Sequence, residues 1–116
     1  MSGNLLRNEF HLFACALVFL TRVPLRLDRF SDEDLAGSCA YFPAVGFLVG
    51  AFAACVFVLA AEVWEPSIAV LLAVASAVVL TGAFHEDGLA DTADGLGGGW
   101  SVERKLEIMK DSRIGT

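Results

Sequence analysis

The sequence predicts an all-α fold, part of a polytopic integral membrane helical bundle, and three observations carry that prediction. Of 116 residues 56% are hydrophobic, and the mean hydropathy is +0.64, well above the apolar share of a soluble domain. No charged residue occurs from Leu35 to Ala61, nor from Pro66 to Phe84. At ~1.5 Å rise per residue, about 19 to 20 helical residues cover a hydrocarbon core of ~30 Å, so both stretches are predicted to span. The basic residues Arg7, Arg22, Arg26 and Arg29 precede this pair, Arg104, Lys105, Lys110 and Arg113 follow it, and none lies between. By the positive-inside rule both ends of the helical hairpin are cytoplasmic.

At the N-terminus the apolar stretch Phe10 to Leu20 is too short to span and is closed by Arg22 and Pro24, which predicts one short interfacial or re-entrant helix. A signal peptide is disfavoured because Thr21-Arg22-Val23-Pro24 is not a small-x-small cleavage site. Next, Ser31-Asp32-Glu33-Asp34 has the pattern of a helix start, with Ser31 as cap and Asp34 in the place of the capping-box acid.

In the first span, residues 35–61, Gly46, Gly50 and Ala54 recur every four residues, so one face lacks bulk and suits close helix packing. Such packing needs partners. Two spanning helices supply little surface, so further helices are expected from the same protein or from another copy in a homo-oligomer. The connector, Glu62 to Glu65, has the length of a tight turn, and Pro66 suits the first turn of the second span, residues 66–84, where its missing N–H is harmless. The chain is thus expected to form a single membrane domain over 1–116, with 85–116 cytoplasmic.

The three cysteines, Cys15, Cys39 and Cys55, show no C-x-x-C spacing and sit in apolar surroundings, so they are expected as small core residues and not as a disulfide or zinc framework. A formal charge of -6 with scattered basic residues argues against a nucleic-acid surface.

Directly after the second span comes HEDGLADTADGLGGGW, residues 85–100. On a helix that continues from the span, successive residues turn by about 100°, which places Asp91 at about 40° and Asp94 at about −20° from Asp87. Those carboxylates share one face, whereas Glu86 and His85 point elsewhere. Like charges at that spacing repel by a few tenths of a kcal/mol each when solvated, so the arrangement calls for a compensating cation. Hard oxygen donors suit Mg2+, which is usually held by one or two carboxylates, waters and substrate phosphate oxygens. Gly95, Gly97, Gly98 and Gly99 then either simply stop the helix or leave backbone N–H groups open to phosphate.

Ser101 is the expected cap of a second cytoplasmic, amphipathic helix through VERKLEIMKDSR, patterned on Val102, Leu106 and Met109. On it Arg104 and Asp111 are seven apart and so share a face, and Glu107 and Asp111 are four apart, so basic and acidic groups are expected to face the carboxylate cluster across the glycine loop; Arg113 offers a planar fork of donors for phosphate or for lipid headgroups.

At these residues the chain resembles a known family. H-x-D-G-L-x-D-x-x-D-G, here His85 to Gly95, followed by LEIMKDSRIGT, Leu106 to Thr116, is similar to the cobalamin synthases, the adenosylcobinamide-GDP ribazoletransferases. FLTRVPL at Phe19 to Leu25 and YFPAVGFLVGA at Tyr41 to Ala51 extend the resemblance along nearly the whole chain. It implies an enzyme of the bacterial cytoplasmic (inner) membrane, about twice this length, of which the chain is an N-terminal portion. It implies a magnesium-dependent transfer in which a hydroxyl of α-ribazole, or of its 5'-phosphate, attacks the cobinamide-linked phosphorus of adenosylcobinamide-GDP and GMP leaves.

Carried over by the resemblance, Asp87, Asp91 and Asp94 are metal ligands, Asp94 and Asp111 are catalytic, with Asp111 a further ligand or the base, and Arg113 and Lys110 contact phosphate beside Gly95 and Gly97. The spacing is also similar to that of the CDP-alcohol phosphotransferases, but Leu96-Gly97-Gly98 replaces the Ala-Arg pair that follows their second Asp-Gly. A membrane cation carrier would place its acids near the bilayer midplane on broken helices, whereas both predicted spans are free of charge. An interaction module anchored by the hairpin would need no aligned carboxylates, and Asp91→Asn would leave it intact. The absent half is expected to close the site, so the isolated chain should bind metal weakly and release no GMP; measurable GMP from the purified chain overturns this expectation.

Overall fold

A computed structural model describes residues 2–27 and 30–111. It is all-helical, in the order α1 (Ser2–Leu20), α2 (Asp32–Ser38), a 3₁₀ turn (Cys39–Tyr41), α3 (Phe42–Ala61), α4 (Pro66–Thr81), α5 (Phe84–Gly98) and α6 (Val102–Lys110). The chain divides into two compact units, Met1–Gly82 and Ala83–Thr116.

In the first unit α1 runs over 19 residues and begins well before the predicted Phe10. Tyr41 meets this helix at two points: its hydroxyl donates to the Glu9 carboxylate, and Phe13 lies edge-on to its ring at 6.1 Å. Further along, Ala16 and Leu20 of α1 pack on Val45 of α3, flanked by Phe19 stacked on Phe42 at 5.8 Å. At the start of α2, the Asp34 N–H donates to Ser31 Oγ at 3.1 Å and the Ser31 N–H donates to Asp34 Oδ2 at 3.2 Å. This reciprocal box satisfies N–H groups that the first helical turn leaves without partners. His11 Nε2 lies 3.6 Å from the same Asp34 oxygen, which brings α1 to the head of α2.

The uncharged stretch 35–61 is not one α-helix. It passes from α2 through the 3₁₀ turn, and α3 restarts at Phe42 with Pro43 in its first turn, where a missing N–H removes no helical bond. The 20 residues of α3 span about 30 Å, the thickness of a hydrocarbon core. α3 and α4 pack as the predicted hairpin, with Ala60 and Ala69 buried where small side chains let the helices close. The N–H groups of Val63 and Trp64 both donate to the Ala60 carbonyl in the connecting turn.

Elsewhere the hairpin is uncovered: Phe47 is 76% exposed and Leu71 is 69% exposed. Each such side chain is worth about 1.5–3 kcal/mol when taken out of water, so many of them together favour lipid over water. The chain is a partial membrane helical protein. The Gly46–Gly50 face of α3 is likewise open, with no atom within 4 Å of a Cβ built at either position, so the close packing expected there is not made by the described residues. Cys15 is buried as expected, but Cys39 and Cys55 are exposed, because they lie on uncovered surface of the helices.

The second predicted span also ends early. α4 stops at Thr81, 16 residues and about 24 Å long. Gly82 and Ala83 take left-handed conformations, with φ of 68° and 59°. Gly82 closes α4 by donating to the last-turn carbonyls. Arg22 reinforces that end, for its N–H donates to the Leu80 carbonyl at 2.8 Å, and its side chain lies where a Cβ on Gly82 would be only 2.4 Å from Nε. A guanidinium beside a helix C-terminus is also electrostatically favoured.

In the second unit α5 and α6 pack together through Gly95. A Cβ there would stand 2.7 Å from Met109 Cγ and Cε and 3.0 Å from the Lys105 carbonyl oxygen. Ser101 caps α6 as expected, its Oγ accepting from the Arg104 N–H at 3.2 Å. Gly95→Ala is expected to loosen the pair, since overpacking of about 1–3 kcal/mol exceeds the gain in helix propensity of about 1 kcal/mol. At Gly97 the same change meets open space and is expected to protect the helix. Amide hydrogen exchange should therefore accelerate in α6 for Gly95→Ala and slow in the last turn of α5 for Gly97→Ala. Ser101→Ala should accelerate exchange in the first turn of α6, at a cost of about 1 kcal/mol.

Candidate functional site

The acidic motif lies on a helix of its own. α5 begins at Phe84, after the left-handed pair, and its first bond is donated by the Asp87 N–H to the Ala83 carbonyl at 2.9 Å. Glu86 and Asp87 occupy the first turn, where negative charge is favoured by the helix dipole. The expectation that the second span continues unbroken into the motif is corrected, but the angular relation survives because α5 is itself regular.

Asp87, Asp91 and Asp94 fall at i, i+4 and i+7 of α5, so they share one face, with Asp87 exposed and Asp91 and Asp94 half-buried. Glu86 is exposed, and the His85 ring lies edge-on to Phe84 at 5.5 Å. Among the described residues no group of three His, Cys, Asp or Glu side chains could hold a metal ion together. Helical rise explains this: Asp87 and Asp94 are separated by about 10 Å along the axis, and adjacent members by about 4.5 to 6 Å. Neighbouring pairs are better placed than the full trio to share one ion with phosphate oxygens and water, the donor set magnesium prefers.

The glycine run is not the loop that was expected. α5 continues to Gly98, so Gly95 and Gly97 lie inside a helix, where N–H groups are directed at carbonyls four residues back. Those N–H groups are not open donors for phosphate. Gly95 serves the approach of α6 instead, and Gly99, in extended conformation, lies under the Lys105 side chain, whose Cγ would be 2.5 Å from a Cβ at that position.

α6 is also shorter than expected. It ends at Lys110, and Asp111 is its C-cap with φ −81° and ψ 106°, outside the helix, so the helical face proposed for Arg104 and Asp111 does not exist. Lys110 is exposed at the last turn, and Arg113 lies outside the described residues. Arg104 donates from Nη1 to Glu107 Oε2 at 2.7 Å, an exposed i,i+3 pair worth a few tenths of a kcal/mol.

Between α5 and α6 opens a groove of about 410 Å³ lined by Ala93, Asp94, Gly97, Gly98, Arg104 and Ile108. It unites Asp94 with Arg104, in keeping with the expectation that basic groups of the second cytoplasmic helix face the carboxylate cluster. How closely the two helices approach depends on Gly95, whose missing Cβ admits Met109 and the Lys105 backbone.

Comparison with known proteins bears on this site. A family model described as cobalamin-5-phosphate synthase matches residues 12–116. The adenosylcobinamide-GDP ribazoletransferase of Shewanella amazonensis is 55% identical over 112 residues, covering 95% of this chain and 43% of that protein. The protein of the same name from Shewanella frigidimarina is 53% identical, over 100% of this chain and 45% of its own length. That from Vibrio cholerae serotype O1 is 49% identical, over 97% of this chain and 43% of its own length. The chain thus spans less than half the length of these relatives. No solved structure matches it. With the family model matching all but the first residues, and the acidic helix and its partner both inside the matched region, the chain belongs to the cobalamin-5-phosphate synthase family.

Proposed function

We propose that the full-length protein, with residues 1–116 as its N-terminal portion, joins adenosylcobinamide-GDP to α-ribazole or α-ribazole 5'-phosphate, giving adenosylcobalamin or its 5'-phosphate and GMP. The observation that carries this reading is the carboxylate face of α5 beside a groove that also holds a guanidinium, in a chain of this family. The reaction forms one P–O bond, from the ribazole hydroxyl to the cobinamide-linked phosphorus, and breaks the one to the GMP leaving group.

The chemistry asked of the protein is positioning and charge neutralisation more than covalent work. Neighbouring carboxylates of the Asp87, Asp91 and Asp94 face, Asp91 and Asp94 above all, would hold Mg2+ together with phosphate oxygens and water. When bound, that cation would neutralise the diphosphate and stabilise the charge that passes to GMP. Asp111, at the end of α6, or Asp94 accepts the hydroxyl proton. Lys110, exposed in the last turn of α6, and Arg113 contact phosphate. Gly97 takes part as open wall and not as an N–H donor, because its backbone lies in α5. The site works on the cytoplasmic side of the inner membrane, where the basic residues flanking the hairpin are retained, and helices from the rest of the protein enclose it.

GMP release should be measured for the full-length protein in lipid, from adenosylcobinamide-GDP and α-ribazole, with and without magnesium. Activity should require the metal. Asp91→Asn should lower it at least about 100-fold with membrane insertion unchanged, since even outer groups around a metal cost 10–100-fold when removed. Full activity of that variant would return the acidic face to a solvated helix surface.

A further inference from the structure

The groove between α5 and α6 holds two opposite charges that are not spent on each other. Among the described residues the ion pair of Arg104 is with Glu107, one turn along α6, and not with Asp94, although Asp94 and Arg104 line the same groove. Glu107 engages Nη1, which steadies the guanidinium while its other N–H donors keep the planar fork suited to phosphate oxygens. Beside them the wall is open, for a Cβ on Gly97 would meet no atom within 4 Å. A volume of about 410 Å³ lies in the range of small-molecule sites.

A ligand that satisfies both charges has a cation at one end and an anion at the other. Carboxylate, divalent cation, phosphate and guanidinium alternate in sign, and each neighbour stabilises the next. We propose that Arg104 binds a phosphate of the nucleoside-diphosphate substrate in the groove that Asp94 also lines, and that Glu107 positions it. The assignment rests on the reaction proposed above, because it takes Asp94 as a ligand of the substrate-bound cation. It places a phosphate contact on the first turn of α6, ahead of Lys110.

The test uses the full-length protein in lipid nanodiscs, with Arg104→Ala, Arg104→Lys and Glu107→Gln. Loss of charge-assisted hydrogen bonds should raise KM for adenosylcobinamide-GDP about 10- to 100-fold in Arg104→Ala, with KM for α-ribazole unchanged. Lysine should recover part of the loss, since it keeps the charge without the fork, and Glu107→Gln should have the smaller effect. A KM for adenosylcobinamide-GDP within about twofold of wild type in Arg104→Ala overturns the assignment, while loss of activity in Asp91→Asn leaves the reaction standing. Equal rises in both KM values overturn it too, as they mark a structural role.

If the wild type releases no GMP, the reaction itself fails. The groove is then judged by calorimetric binding of inorganic pyrophosphate with magnesium to the same protein. Binding at least about tenfold weaker in Arg104→Ala supports the assignment; equal binding, or none by wild type, overturns it.

Discussion

Everything that distinguishes the acidic segment from the apolar one depends on how α4 is brought to an end. The last carbonyls of a helix have no partner within it, and something else must satisfy them. Gly82 does this by turning left-handed and donating back to the last turn, and the Arg22 N–H takes the Leu80 carbonyl from a different part of the chain. Ala83 follows in the same conformation without glycine's freedom, at a cost on the order of 1–2 kcal/mol. Two consecutive left-handed residues cannot continue a right-handed helix. The carboxylates therefore begin a new helix at Phe84 instead of riding on the end of the hairpin, and the low-dielectric segment and the charged one are separate elements.

Within the acidic unit, the absence of one side chain organises the rest. Gly95 is buried against α6, and its missing Cβ is what admits Met109 and the Lys105 backbone. Because α6 lies that close, Arg104 in its first turn comes to the groove that holds Asp94. Ser101 sets the register by capping the turn from which Arg104 projects. Glycines that suggest a flexible phosphate loop are thus used as packing surfaces, and the donors for a phosphate come from a side chain.

The hairpin presents the opposite problem. Its seam is narrow, with Ala60 and Ala69 buried, while most large apolar side chains on both helices face outward. Small residues on α3 at Gly46 and Gly50 leave a smooth strip that no described residue covers. Among the described residues the compact apolar cluster lies where α1 packs on α3, around Ala16, Leu20 and Val45. That cluster and the Tyr41–Glu9 contact hold α1 against the start of α3, and the approach of His11 to Asp34 brings α2 to α1.

Local chemistry was legible in the sequence wherever it depends on near neighbours alone. Charge-free runs and a proline after a short connector specify the hairpin, Ser31 and Ser101 specify two helix starts, and the i, i+4, i+7 spacing of Asp87, Asp91 and Asp94 specifies a shared face on any regular helix. Family membership was legible as well, because the motif residues are consecutive. What only the tertiary structure decided are the lengths and ends of helices and the company that residues keep. α1 is held by Tyr41 through Glu9 and Phe13, α4 is stopped by the left-handed pair with Arg22 at its end, and α5 runs through glycines whose propensity would stop it because α6 packs on Gly95. The physical reason is the same in each case: intrinsic preferences of about 1 kcal/mol per residue are overridden by packing terms of equal or greater size, which come from residues distant in the chain.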